Sequence, residues 1–299
     1  MSQDTLRQHA GQILQAALEA ADPASAIKRA VSLEHGLLNI DGQSLDLSAY
    51  ERVVAVGAGK AGAPMAQALE DILGDRLDGG MVVVKDGHGG PTRKIRIFEA
   101  SHPVPDERGV AAGGEIAKFL QENAGPKTLV FCLLSGGGSA LLVSPAPGVT
   151  LADKQDTTRL LLACGADIGE INSIRKHLSQ LKGGGLARLA GESKVVSLIV
   201  SDVVGDRLDT IASGPTVPDH STWADCHEIL TRYGIWDQVP STVRDRIQQG
   251  LDGQLPDTPK PGQPQLAQVL NLIVAGNRQA LRAVEFSVLR SKGPQRVQD

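Results

Sequence analysis

The 299-residue chain predicts an α/β fold: a doubly wound, largely parallel, Rossmann-like sheet with helices on both faces. Two observations carry that expectation. Runs such as Leu129-Val-Phe-Cys-Leu-Leu134 and Val195-Val-Ser-Leu-Ile-Val200 are apolar almost throughout, as strands of a parallel sheet covered on both faces must be. They alternate along the chain with segments of helical period, and several end abruptly in glycine-rich loops, the usual strand-to-helix turns of such folds.

Leu6, Ile13, Leu14, Ala17 and Leu18 fall on one face at helical spacing and predict an amphipathic opening helix. Asp22-Pro23 reads as an N-cap with proline at the first helical position, so a second helix is expected to run to about Leu33. A polar stretch over 39–50 leads to a strand at 53–56, the loop Gly57-Ala-Gly59-Lys60-Ala-Gly62, a helix over 61–73 and a strand at 81–85. That is a βαβ unit with a right-handed crossover. A short strand at 95–98 and the stiff Ser101-His102-Pro-Val-Pro-Asp106 precede a helix over 106–122. The strand at 128–134 ends in Ser135-Gly136-Gly137-Gly138-Ser139. Helices are expected at 151–164, 170–182 and 186–190, a strand at 195–200, helices at 221–232 and 240–250, and a last strand at 269–274 followed by a helix. Four prolines between Pro256 and Pro264 read as a linker, dividing an α/β domain over 1–255 from a segment over 256–299.

Composition excludes several classes of function. Hydrophobic content of 41% with 21% charged residues is that of a globular protein, and a net charge of -4 gives no reason to expect nucleic acid or an anionic membrane as partner. No apolar run reaches the roughly eighteen residues that span a bilayer, and the first residues lack the pattern of a signal peptide. Cys132, Cys164 and Cys226 are odd in number with no CxxC pair, and read as reduced thiols of a cytoplasmic protein. The sequence is compatible with a homodimer.

Candidate chemistry gathers at the expected strand ends. Gly57, Gly59 and Gly62 match the dinucleotide fingerprint G-x-G-x-x-G, which admits a nicotinamide-dependent oxidoreductase. Lys60 inside that loop suits a phosphate or a developing negative charge better than a ribose. The three glycines 136–138 offer unobstructed backbone N–H groups, a cradle for an anion. Asp202, directly after an apolar strand, is the carboxylate best placed to orient or deprotonate an attacking hydroxyl, whereas Asp206 and Asp209 read as ordinary solvated loop carboxylates. Arg175, Lys176 and Lys182 are cations that could neutralise phosphates or simply form a solvated face. His88, His102 and His177 lack metal-ligand spacing.

Seven motifs then occur in order: Gly57-Ala-Gly-Lys60-Ala, Ser101-His-Pro-Val-Pro-Asp106, Leu134-Ser-Gly-Gly-Gly-Ser-Ala-Leu141, Asn172-Ser-Ile-Arg-Lys-His-Leu-Ser179, Lys182-Gly-Gly-Gly-Leu186, Val200-Ser-Asp-Val-Val-Gly-Asp206 and Ala212-Ser-Gly-Pro-Thr216. Together they resemble the glycerate 2-kinase family, some of whose members are labelled hydroxypyruvate reductases. The resemblance implies transfer of the γ-phosphoryl group of ATP, with Mg²⁺, to the 2-hydroxyl of D-glycerate. It implies that Lys60 stabilises the transferring group and that Asp202 is the base or orienter. Nucleotide or substrate phosphate would be held by Gly57, Gly59, Ser135 to Ser139, Lys182, Ser213, Gly214 and Asn277, and metal by Asp202 and Asp206. Family members continue past Gly276-Asn277-Arg278 into a smaller domain that supplies a further arginine, whereas this chain stops at Asp299. The expectation is therefore a nucleotide-handling half with impaired kinase activity alone. An NAD(P)-dependent hydroxypyruvate reductase and a catalytically incomplete nucleotide-binding fragment remain the alternatives.

Overall fold

The computed structural model describes residues 3–291. A helix α1 (Gln3–Ala21) is followed by α2 (Pro23–Ala30), which Asp22 caps by accepting the Ser25 amide at 2.7 Å. The second helix was expected to continue to about Leu33, but it stops at Ala30, and the polar stretch beyond it is not a loop. Strands β1 (Val31–Glu34), β2 (Leu37–Ile40) and β3 (Gln43–Asp46) form an antiparallel meander. Its two turns, His35-Gly36 and Asp41-Gly42, have positive φ at both residues, the geometry that matches strand twist in two-residue hairpins. Strands of four residues are too short for their alternation to stand out from a helical period, which is why they escaped the pattern.

The main sheet follows: β4 (Arg52–Ala58), α3 (Gly62–Leu73), β5 (Gly79–Lys85), β6 (Ile95–Ala100), α4 (Glu107–Asn123), β7 (Thr128–Leu134). The chain continues through α5 (Gly138–Leu141), α6 (Leu151–Ala163), α7 (Ile168–His177), α8 (Gly185–Ala190), β8 (Lys194–Val200), α9 (Trp223–Arg232), α10 (Ser241–Leu251), α11 (Pro264–Ala267), β9 (Val269–Ala275) and α12 (Asn277–Ser291). Six parallel strands lie in the order β6-β5-β4-β7-β8-β9. This is the doubly wound order of dinucleotide-binding folds, with its switch point between β4 and β7. The sheet continues across the boundary expected at 255, because β9 pairs with β8 from Val195↔Val269 to Val200↔Ala275.

Alternate residues of each strand enter separate cores. Leu129, Phe131 and Leu133 pack with Ile27, Met65 and Leu69 of α2 and α3, and with Leu38 and Ile40 of the meander. Val130, Cys132 and Leu134 pack with Ile116 and Leu120 of α4 and Leu186 of α8. Each such side chain, fully buried, contributes about 1.5–3 kcal/mol. A third core, including Leu161, Ile174, Trp223, Leu230 and Ile247, belongs to α6, α7, α9 and α10. These helices come from the long connections after β7 and β8, so this helical layer hangs on the same strand ends as the candidate loops. Cys132 and Cys226 are buried free thiols, the former pushed up to about 12 by burial.

The helix expected over 170–182 ends at His177, and Leu178 forms its C-cap. The proline-rich stretch expected as a linker is strapped to the helical layer. Thr258 donates to Asp219 at 2.9 Å, the Asp219 amide donates to the Pro259 carbonyl at 2.8 Å, and Asp257 meets His177 Nε2 at 2.8 Å. Proline there stiffens the strap. No described helix is long and apolar enough to cross a membrane. Residues 292–299 of the expected tail lie outside the described residues.

Candidate active site

Strand register brings the site together. Ala58 of β4 is level with Leu134 of β7, so the loops beginning at Gly59 and Ser135 leave the sheet side by side. Leu134 is in turn level with Ile199 of β8, so Asp202 emerges beside Gly136 and Gly137.

The two loops do different work. In the first, every amide from 59 to 62 has an internal acceptor: Gly59 donates to the Val83 carbonyl (3.0 Å), Lys60 to that of Gly136 (2.8 Å), Ala61 to Ser135 Oγ (3.0 Å) and Gly62 to the Gly59 carbonyl (3.0 Å). Gly57 is glycine because a Cβ would sit 2.1 Å from the Leu133 carbonyl oxygen, and one on Gly59 would sit 2.1 Å from Ser135 Oγ. The fingerprint glycines thus serve strand packing, and the amides of that loop, which a dinucleotide fold offers to a pyrophosphate, are already spent. In the second loop, the amides of Gly136 and Gly137 find no acceptor among the described residues, while Gly137 takes a left-handed φ of 86° to start α5.

Around those amides three chemical groups converge. A Cβ on Gly136 would lie 2.2 Å from Asp202 Oδ2, so the exposed carboxylate occupies the space the glycine leaves. A Cβ on Gly137 would lie 3.0 Å from His102 Nε2 and 3.4 Å from Lys60 Cε. Lys60 has no carboxylate partner among the described residues, and its carbonyl is met by His88 Nδ1 at 3.0 Å. Burial, and then the Lys60 and Lys85 cations, hold the His102 ring below its ordinary pKa, so it is neutral at neutral pH. His102 was missed as a site residue because it was weighed only as a metal ligand. Its place two residues past the end of β6, inside the Ser101–Asp106 motif, was the available signal.

The remaining expected residues divide into supports and outliers. Ser135 holds the first loop through Ala61. A Cβ on Gly138 would press Ala212 Cβ at 2.8 Å. Ser139 Oγ lies 2.9 Å from the buried Ser213 Oγ, which donates to Asn172 Oδ1 at 3.3 Å. Ala212 and Ser213 both have positive φ, 50° and 61°, strain of the kind stored beside functional loops. Ser213 and Gly214 carbonyls accept from Gly183 (2.9 Å) and Gly184 (2.7 Å), zipping two glycine turns together. Lys182 is buried, its Nζ donating to the carbonyls of Ser139 (2.8 Å) and Leu142 (3.0 Å) at the end of α5. Lys176, weighed as a phosphate cation, is instead paired with buried Asp219 at 3.1 Å. Asp206 lies by the end of β9, its Oδ1 3.4 Å from the position of a Cβ on Gly276. Asn277 is exposed at the start of α12. No group of three or more ligating side chains fit for a metal occurs among the described residues.

The chain is 42% identical over 268 residues to a protein named glycerate 2-kinase from Pyrococcus horikoshii, covering 90% of this chain and 59% of that one. It is 49% identical over 199 residues to a putative hydroxypyruvate reductase of Agrobacterium vitis, covering 67% of this chain and 51% of the relative. A crystal structure titled glycerate kinase from Thermotoga maritima superposes with a TM-score of 0.82 at 36% identity, over 97% of this chain and 63% of that one. The chain therefore spans about half the length of the curated relatives it matches. The family model described as a domain of unknown function, DUF4147, matches residues 9–248, and the chain belongs to that family.

Proposed function

We propose that this chain carries phosphoryl-transfer machinery of the glycerate 2-kinase type, moving the γ-phosphoryl group of ATP to the 2-hydroxyl of D-glycerate. One observation carries the reading: Lys60, His102 and Asp202 converge on a glycine loop with two unspent amides, while the amides of the G-x-G-x-x-G loop are spent internally. Phosphoryl transfer needs little covalent help from a protein. It needs donors and cations on the equatorial oxygens and a carboxylate for the attacking hydroxyl. In this reading the Gly136 and Gly137 amides and Lys60 receive the transferring group. Asp202 takes the proton of the attacking hydroxyl as the new O–P bond forms and the bond from the γ-phosphorus to the bridging oxygen breaks, releasing ADP, and neutral His102 donates to a phosphoryl oxygen. Magnesium bound mainly through substrate phosphates needs only one or two protein carboxylates, and Asp202 fits that role without a cage of ligands. When bound, the ion would neutralise charge on the phosphates. The similarity to proteins named glycerate kinase supports the same acceptor.

The test is a coupled assay for 2-phosphoglycerate from D-glycerate and ATP–Mg. Lys60→Met should lower kcat by about 10²–10³ with secondary structure unchanged. Turnover preserved in that variant would remove Lys60 from the mechanism. NADH-dependent reduction of hydroxypyruvate by the wild-type chain, with no phosphoryl transfer, would restore the reductase alternative.

A further inference from the structure

Next to the reaction loop lies a cavity of about 690 Å³ whose charge is out of balance. Lys154 of α6, Arg175 of α7 and Lys182 line it together with Ser139, and Val104 and Leu162 line it as well. Each cation is held by main-chain carbonyls only. Lys154 Nζ donates to Leu178 at 2.7 Å, Arg175 Nη2 to Ser139 at 3.1 Å, and Lys182 Nζ to Ser139 and Leu142. Among the described residues none of the three meets a carboxylate, and Asp156, the acidic side chain in the lining, is paired with Arg159. Burial, then the Arg175 and Arg246 cations, pushes Lys154 down to about 7, and burial with the Arg175 and Lys154 cations pushes Lys182 well below its ordinary value. Carbonyls at two helix ends offset part of this cost. They do not neutralise it, and Arg175 keeps donors without a partner.

The rest of the lining differs in kind. Val104 and Leu162 are 60% and 64% exposed at its mouth, large apolar side chains left in water on facing elements. Gln155 of α6 donates to the Pro105 carbonyl at 2.8 Å and fixes the two walls relative to each other. A ligand for this cavity has an anionic end for the cations and a flat apolar end for the mouth. A three-carbon acid is far too small, since a space in the range of drug-sized ligand sites would be left mostly empty.

We infer that this cavity seats a nucleoside polyphosphate, with its base between Val104 and Leu162 and its phosphates against Lys154, Arg175 and Ser139, next to Gly137. The inference rests on the kinase reading for the choice of a phosphoryl donor, and it moves the donor away from the G-x-G-x-x-G loop. The terminal phosphate then reaches Lys60 and His102 past Ser139.

The experiment measures binding directly, by calorimetry on the wild-type chain titrated with ADP, inorganic phosphate or D-glycerate. Leu162→Glu, Val104→Glu and Arg175→Leu probe the cavity, and Leu14→Glu on α1, 61% exposed and remote, is the control for adding an acid to the surface. The expected result is ADP binding at least a hundredfold tighter than phosphate or glycerate, weakened tenfold or more by each cavity variant and unchanged by the control. Leu162 and Val104 are exposed, so their variants fold even if Arg175→Leu does not. ADP affinity unchanged by both mouth variants, or no ADP binding, overturns the inference. So does phosphate binding as tightly as ADP with the same dependence on Arg175, which marks a bare oxyanion pocket. Phosphoryl transfer in the same preparations separates the two claims. Turnover with cavity-independent ADP binding sinks this inference alone, and cavity-dependent binding without turnover sinks the proposed reaction alone.

Discussion

Two glycines one strand apart illustrate how differently the same residue type can be constrained. A Cβ on Gly57 would enter the Leu133 carbonyl oxygen at 2.1 Å, and backbone in the middle of a sheet cannot yield. Gly57→Ala is expected to cost about 2–4 kcal/mol, read as a fall in the thermal midpoint. A Cβ on Gly136 would meet Asp202 Oδ2 at 2.2 Å, the far end of an exposed side chain that can swing away. Gly136→Ala should therefore leave the midpoint within a degree or two of wild type. Because the carboxylate is displaced by an ångström or more, it should lower kcat about 10–100-fold. If Gly136→Ala unfolds the protein, or retains full turnover, the placement of Asp202 against this loop has no catalytic meaning.

The strap over 256–260 binds by charge as well as by packing. Burial works to raise the Asp257 carboxyl, but hydrogen bonds from His177 and Lys260 outweigh it and hold the group down to about 2. A carboxyl depressed in the folded state contributes stability that is present above its unfolded value, near 4, and is lost as pH falls from there towards 2. Asp257 is partly exposed, so about 1–2 kcal/mol is the reasonable scale after solvent screening. Asp257→Asn should lower the thermal midpoint at pH 7, and the gap to wild type should close between pH 4 and pH 2. A gap that stays constant over that range would assign the effect to packing instead. The strap is tied to His177 of α7, the helix that gives the cavity its Arg175, so its loss should also weaken ligand binding there.

Across the whole molecule, stability should fall off from the switch point outward. β4 and β7 are central, buried on both faces and paired along their full length, whereas β9 is an edge strand with mostly half-buried residues and the meander is a small sheet of its own. Amide exchange is expected to be slowest at Val53–Ala58 and Leu129–Leu134, intermediate in β8, and fastest among strands in β1–β3 and β9. Protection of β9 equal to that of β7 would show that the edge is covered in solution. The candidate site draws mainly on the slow end of this gradient. Lys60, the glycine loop and Asp202 leave the sheet from β4, β7 and β8, which is how a loop site acquires a rigid base.

Much of this was legible in the chain itself. The doubly wound sheet followed from runs like 129–134, because a strand buried on both faces must be apolar at every position, and no tertiary detail is needed to see it. That Lys60, Asp202 and the 135–139 loop leave the same edge of the sheet was legible because parallel strands deliver their following loops to one edge. The meander was not, since four-residue strands carry too little period, and neither was the strap, since prolines in a stretch do not say whether its polar side chains find partners. The fate of each polar group was decided only in three dimensions. Whether an amide in a glycine loop is free, whether Lys182 faces a carbonyl or a phosphate, and whether His102 reaches Gly137 depend on atoms tens of residues away in sequence. Local composition determines which groups are present and which elements they terminate, while the register of β4, β7 and β8 determines which of those groups meet.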